Sequence, residues 1–328
     1  MSVISLINEL TMLILLEIQK FHILLPSEIE LMTLENYMLA GKIASTVREN
    51  TRKKNHIDRT LLEICESIEN EITLLGGKPA FPVNVSLNEI AAHYTAEPQD
   101  PIVVKDTDVI KIDLGVHING YIADTAVTIS YDSKYDHLVD VAELSLSEAI
   151  KISKINTKSG DIGKTIENTI LHNGLKPIQN LSGHSLDQYT VHSGKSIPNI
   201  RTIGSPFSLV NNQAYAIEPF VTTRDGLGIV YEGKIQNIFS IVSRKPTKDR
   251  DLDDFITYLW NRFKTLPFAI RWLTKDYDET LLNNMVNFLM KKKNIRSYPI
   301  LVEGNNKIVS QAEHTFLISE DQSYVITK

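Results

Sequence analysis

The stretch "VIKIDLGVHINGYIADTAVTI", Val109 to Ile129, constrains the fold more than any other part of the chain. Two segments rich in Ile, Val and Thr flank Asn119-Gly120, a pair that favours the type I′ turn because both central residues must take positive φ. A two-residue turn fixes the register: Ile118 faces Tyr121, Asp113 faces Ala126, and Asp124 lies two residues from Ala126. Side chains alternate with period two, so Asp113 and Asp124 share one face as diagonal neighbours. Like charges so placed repel in a low-dielectric setting unless a positive charge sits between them. A shared metal ion would supply that charge. A polar outer face of the hairpin would explain the pair equally well, and the hairpin alone leaves both readings open.

The chain of 328 residues is long enough for one large domain or two ordinary ones. Its 42% hydrophobic and 23% charged residues describe an ordinary soluble globular protein. The net charge of −6 argues against a dedicated nucleic-acid binder, which usually shows a basic face. One cysteine, Cys65, excludes an intramolecular disulfide framework and a zinc–thiolate site, and points to a reducing compartment. It falls in the amphipathic pattern "LLEICESIEN" and reads as a small core residue. Residues 1–31 form an apolar extension, broken by Glu17 and Lys20, whose longest apolar run is far short of the ~20 residues of a membrane span. With no basic residue before Lys20 it does not read as a secretory signal. It is expected to be a dispensable amphipathic helix or the product of an over-extended start, with Met32 and Met38 as alternative starts. A lipid-bound, tethered form is the less favoured reading.

Helical spacing recurs in pairs. "LENYMLAGKIASTVREN" and "IDRTLLEICESIENEITLLGG" precede a strand region and the hairpin, and "DHLVDVAELSLSEAIKIS" and "IGKTIENTILHNGL" precede another strand region. This order suggests two similarly built halves, although no repeat is visible in the residues themselves. A helical block then interrupts the strands and reads as an insertion. Its first helix places Leu252, Phe255, Ile256, Leu259 and Phe263 on one face, and its second places Leu281, Met285, Phe288 and Leu289 together before three lysines. Two short helices ending in "KKK" could also read DNA, but lysines at a helix C-terminus complement its dipole and are usually just solvated.

Three more candidate ligands stand in strand-like or loop segments: His184 in "NLSGHSLDQYTVHSG", Glu218 in "YAIEPF" and Glu313 in "SQAEHTFLI". Glu is seldom buried unless paired or metal-bound. Either Glu alone could belong to a buried ion pair. With Asp113 and Asp124, however, the set offers four carboxylates and one imidazole, which suits a carboxylate-bridged pair of divalent ions better than a closed zinc site. No Gly-x-Ser-x-Gly elbow, P-loop or His-Glu-x-x-His is present, and "DGLGIV" is too short for a dinucleotide site.

"AFPVNVSLNEIAAHYT", "IDLGVHINGYIADTA", "NLSGHSLDQYTVH", "AIEPF" and "QAEHT", in this order, resemble type II methionine aminopeptidase in its archaeal form, from about Met32 to the C-terminus. The resemblance implies an α/β (α+β) pita-bread fold, two pseudo-symmetric halves around a central antiparallel sheet. The catalytic domain would comprise residues 32–225 and 298–328, with an inserted helical subdomain at 226–297. It implies ligation of two divalent ions (Co, Mn, Fe or Zn) by Asp113, Asp124, His184, Glu218 and Glu313, with His93 and His192 flanking the substrate. Phe81, Val191, Phe220 and Tyr298 are candidates for the methionine slot. Pocket residues from the insertion cannot be assigned.

The implied reaction is removal of the initiator methionine from nascent chains with a small second residue. A hydroxide activated between the ions would attack, Glu218 would carry its proton, and the free α-amine would bind one ion. His192 would donate to the scissile carbonyl oxygen and His93 toward the scissile amide. A cytoplasmic monomer near the ribosome, without a membrane span or dedicated nucleic-acid binding, is expected. Prolidase or X-Pro aminopeptidase activity is disfavoured by the spacing of "GHSLDQYTVH" and by the insertion. A non-catalytic nucleic-acid or ribosome-associated relative is disfavoured because all five ligands are present. Of the remaining histidines, His22, His56, His137 and His172 are expected to face solvent, His117 precedes the turn, and His314 should point away from Glu313's face.

Overall fold

A computed structural model describes residues 28–328 apart from positions 203, 205 and 206. The expected helix in the extension falls mainly outside the described residues. The first described helix, α1, spans Glu28–Arg52 and so begins before the expected start at Met32. The second, α2 (Leu61–Leu74), begins at a capping box in which Thr60 and Glu63 satisfy each other's backbone N–H groups. It buries Leu61, Ile64, Cys65, Ile68 and Ile72, so Cys65 is the core residue expected.

The central sheet has nine strands: β1 (Lys78–Pro79), β2 (Asn84–Leu87), β3 (Val109–Ile118), β4 (Tyr121–Ser130), β5 (Ser182–Leu186), β6 (Ser196–Pro198), β7 (Gln213–Ile217), β8 (Glu313–Ser319) and β9 (Gln322–Val325). Across it the order is β1-β3-β4-β8-β7-β5-β6, with β2 added on β3 and β9 on β8, and the pairings are antiparallel. The hairpin register is the expected one: Ile118 pairs with Tyr121 and Asp113 with Ala126. Asn119 and Gly120 have φ of 52° and 90°, as a type I′ turn requires.

Helices α3 (Asp136–Ile152) and α4 (Ser159–His172) cover one face of the sheet. Leu138, Leu146, Ile162 and Ile166 from these helices share a core with Tyr215 and Ile217 of β7 and with Phe316 and Ile318 of β8. Alternation then turns Glu313 and the position after Ile217 to the other face. Gly41 of α1 packs so closely on Ile326 that a Cβ would lie 2.2 Å from its carbonyl oxygen.

The two halves share a local signal: the sequence marks Gly76-Gly77 as a helix stop, but its repetition was overlooked. Helix α2 runs into Gly76-Gly77-Lys78-Pro79 and α4 into Gly174-Leu175-Lys176-Pro177. In each, the first glycine has positive φ, and the next residue's N–H bonds five residues back, to Ile72 and Ile170 respectively. This is the Schellman stop, repeated.

Residues 226–297 remain our proposed inserted unit. Within them, Val230–Glu232 pairs with Leu301–Glu303, while a separate core runs from Phe239 to Ile295. Helix α5 (Arg250–Phe263) buries all five residues expected of it. Helix α6 (Glu279–Lys291) requires a correction: it buries Leu282, Met285, Val286 and Leu289, while Leu281 and Phe288 are exposed. Apolar residues occupy most sides of this helix, and packing selects a face one residue away from the expected one. No helix among the described residues is long and apolar enough to cross a membrane.

Candidate active site

The face of the sheet opposite α3 and α4 opens into a cavity of about 300 Å³. Every candidate site residue lines it: Phe81, His93, Asp113, Asp124, His184, Val191, His192, Glu218, Phe220, Tyr298 and Glu313. Side-chain alternation delivers them from separate strands. Asp113 comes from β3, Asp124 from β4, His184 from β5 and Glu313 from β8, with Glu218 just beyond the end of β7.

Ligand atoms of Asp124, His184 and Glu313 all lie within 4.8 Å of one another. His184 Nε2 is 3.7 Å from Asp124 Oδ2 and 3.6 Å from Glu218 Oε1. Gln311, a residue the sequence reading missed, donates from Nε2 to Glu218 Oε2 (3.4 Å) and Glu313 Oε2 (3.3 Å). It sits two residues before Glu313, so the period-two rule could have found it. Asn84, opposite Asp113 in the β2–β3 ladder, also reaches the cavity, as do Ile238 and Pro267 from the proposed insertion.

Burial and crowding make this cluster costly to ionise fully without a countercharge. Burial pushes the Asp113 carboxyl up to about 7. Burial, then the charges of Asp113 and Glu218, pushes Asp124 well above the usual carboxylate range. Glu218 rises through burial and Asp113, and Glu313 through burial and the charges of Asp124, Glu218 and Asp113. His184 is pushed down by burial and by His192, whose ring centroid is 4.3 Å away. Asp113 Oδ1, Asp124 Oδ1 and His184 Nδ1 are buried without a hydrogen-bond partner among the described residues. Leaving such groups unsatisfied costs about 1–3 kcal/mol each, more when charged. Hard oxygen donors plus one imidazole, crowded and orphaned, fit a divalent-cation site.

His93 has φ of +68°, an uncommon value for a non-glycine residue. Its Nδ1 lies 3.1 Å from the Pro299 carbonyl oxygen, which can only accept, so Nδ1 carries the proton and Nε2 presents a lone pair. Burial lowers its pKa and keeps the ring neutral. His192 is exposed where it meets the cavity. Burial, then His93 and Arg296, lowers it to about 4. Phe81, Val191 and Phe220 are buried and Tyr298 half-buried around the same space.

The other histidines bring one correction. His56 is buried, because the loop after α1 folds back and its Nε2 donates to the Thr51 carbonyl, 2.9 Å away, near the helix end. His137 and His172 are exposed, whereas His22 lies outside the described residues. His117 is buried and accepts the Gly120 N–H at the turn. His314 points away from the cavity, as expected, into contact with Arg48 and Thr327.

Residues 35–239 match the model of metallopeptidase family M24. A methionine aminopeptidase of Methanocaldococcus jannaschii is 43% identical over 294 residues, 90% of this chain and 98% of that one. The chain belongs to the archaeal-type methionine aminopeptidases. Its fold is accordingly the pita-bread fold of that family. A methionine aminopeptidase from Thermotoga maritima superposes with a TM-score of 0.65 at 22% identity, over 92% of this chain and 98% of that one. The structure of a thermophilic Arx1 superposes with 0.76 at 16% identity, over 90% of each chain. At such identities the likeness shows the fold alone. Membership of the family rests on the sequence relatives.

Proposed function

We propose that this protein releases the N-terminal methionine from peptides and newly made proteins whose second residue is small. The observation that carries this reading is the convergence of two buried carboxylates, two half-buried ones and His184, with orphaned ligand atoms, beside an apolar recess walled by Phe81, Phe220 and Tyr298. Asp113, Asp124, His184, Glu218 and Glu313 would hold two divalent ions. When bound, these lower the pKa of water and polarise the scissile carbonyl.

The protein's own groups do the rest. Glu218, oriented by Gln311, takes up a proton at its carboxylate and returns it to the leaving amine. His192 is neutral and donates from the ring to the scissile carbonyl oxygen. The Nδ1 bond of His93 to Pro299 leaves Nε2 as an acceptor for the scissile N–H, which refines the donor role expected from sequence. The apolar walls take the methionine thioether and exclude water. His93 lines the cavity beside the ligands and would confine the second side chain.

We infer that it acts as a monomer. We further infer a cytoplasmic protein acting on emerging polypeptides near the ribosome, without dedicated nucleic-acid binding. The test is methionine release, with and without added metal, from Met-Gly, Met-Ala and Met-Ser peptides against Met-Leu, Met-Arg and Met-Trp, with X-Pro dipeptides alongside. The first three should be cut well and the second three poorly. Equal rates across the series would indicate a general aminopeptidase, and preferential cleavage of X-Pro a prolidase.

A further inference from the structure

The cavity is walled by parts of the chain that lie far apart in sequence. Phe81, Asn84 and His93 come from the segments after α2, whereas Ile238 and Pro267 come from the proposed insertion. A carboxylate outside the cavity lining joins these parts. Glu69 of α2 accepts the Val83 N–H at Oε1 (3.0 Å), an N–H of Arg271 Nη2 also at Oε1, and the Trp272 indole N–H at Oε2 (2.8 Å). Glu69 and Arg271 are each 8% exposed. Among the described residues, no other pair of a carboxylate with a lysine or arginine has both side chains buried.

The joint reaches the cavity wall from two directions. Val83 stands between Phe81 and Asn84, and its carbonyl is held as well as its N–H, by Thr95 Oγ1 at 2.7 Å and Cys65 Sγ at 3.3 Å. Pro82, with its φ fixed by the ring, transmits that position to Phe81. On the other side, Arg271 Nη1 donates to the Ala96 carbonyl at 3.4 Å, and Asn237 Nδ2 donates to the Thr95 carbonyl at 3.0 Å. Thr95 and Ala96 closely follow His93, Asn237 directly precedes Ile238, and Arg271 closely follows Pro267.

We propose that Glu69 is a positioning residue that sets the selectivity of the methionine recess. Through Val83 and Arg271 it fixes where Phe81 and His93 stand relative to Ile238 and Pro267. The inference rests on the proposed reading in which methionine occupies the apolar recess. A buried ion pair adds little net stability over apolar residues of the same volume. What this pair adds is a single arrangement of the walls. A misfit of one methylene group in an apolar pocket changes kcat/KM by about tenfold or more, so a small slip of the walls is enough to blur selection.

The test compares kcat/KM for Met-Ala-Ser with that for Leu-Ala-Ser on the metal-loaded full chain. Glu69→Ala and Arg271→Met should each lower the Met/Leu ratio by about tenfold, with KM for Met-Ala-Ser raised and bound metal unchanged. The double variant should lower it no further, since both changes break one joint. Glu69→Gln keeps an oxygen for Val83 and Arg271 and should restore most of the ratio. Arg271→Lys keeps the charge but cannot serve Glu69 and Ala96 at once, so it should fold even where the truncations do not, and lower the ratio by about threefold. Each ratio is internal to one protein, so a lower folded fraction cancels. An unchanged ratio in the folded variants, with only the melting temperature reduced, would mean that the pair merely stabilises and would overturn the inference. Loss of bound metal, or effects that multiply in the double variant, would overturn it as well. Absence of methionine release from Met-Ala-Ser by the wild type, or a wild-type ratio near one, would overturn the function on which it rests.

Discussion

The two faces of the central sheet, compared at adjacent residues, are held in opposite ways. Asp124 and Glu313 point into the cavity, while their neighbours Thr125 and His314 point to the back. On the front, buried ligand atoms of Asp113, Asp124 and His184 lack partners among the described residues, and like charges crowd together. On the back, Arg48 Nη1 lies 2.7 Å from Thr125 Oγ1, 2.9 Å from His314 Nδ1 and 2.7 Å from the Thr327 carbonyl oxygen. Thr125 Oγ1 in turn donates to the Glu313 carbonyl at 2.8 Å. One network of satisfied bonds therefore clamps the backbones that carry the frustrated carboxylates. The front supplies reactivity at the expense of stability, and the back supplies the rigidity that keeps ligands in place when their mutual repulsion would part them.

The largest effect should come from breaking the front. Asp113→Ala should lower metal-supported turnover by more than about a hundredfold, since even supporting groups around a metal are worth about 10–100-fold. It should also leave a folded protein whose metal-free form is no less stable than the wild type, because a repelling charge has gone. Metal assay and thermal melting of the same sample check both halves. A variant that keeps its turnover, or that fails to fold, would contradict the comparison.

Breaking the back should do the reverse. Arg48→Met leaves His314, Thr125 and Thr327 without their shared donor, and losing a buried charged network of this kind costs about 3 kcal/mol. The urea midpoint should fall while bound metal per folded chain stays the same. If metal is lost with stability unchanged, the back network does not act as a clamp.

The front should further betray itself in its pH dependence. The carboxylate pKa values in the folded, metal-free protein lie above their unfolded values, so the native state binds more protons between the two. Stability is therefore full below about pH 4 and is lost as pH rises through the raised values, near 7 for Asp113. The fall amounts to at most about 1.4 kcal/mol per pH unit for each carboxylate. Urea unfolding of EDTA-treated protein from pH 5 to 8 should show this decline, and saturating metal should abolish it. Flat or rising stability in the metal-free protein would mean that the carboxylates are not crowded as described.

The smallest effect concerns Gln311, which joins Glu218 and Glu313 on the front. Gln311→Ala removes a donor to Glu218 and Glu313 and should weaken metal binding by about tenfold. Stability should change little when metal is saturating. Titration of the metal-free variant measures this directly.

The hairpin was legible because Asn119-Gly120 dictates its own turn and register, and the register alone placed Asp113 and Asp124 on one face. His184, Glu218 and Glu313 were legible as charged or titratable groups in apolar surroundings. Gln311 was readable by alternation but carries no charge to draw attention. Ile238 and Pro267 depend on how the insertion docks, which local pattern does not encode. The face of α6 was misread because that helix is apolar on most sides, and His56 because a short polar loop hid a helix-end contact. The repeated Gly-x-Lys-Pro stop is only four residues long, and it acquires meaning only when the two helix ends are compared.

Metal stoichiometry measured together with activity tests the central claim most directly. Protein stripped with chelator and dialysed should be inactive. Stepwise addition of Co, Mn, Fe or Zn should restore methionine release from Met-Ala-Ser. Binding should saturate at two ions per chain in the wild type and at fewer in Asp124→Ala. Full activity in the stripped protein, or two tightly held ions and near-normal turnover in Asp124→Ala, would contradict it.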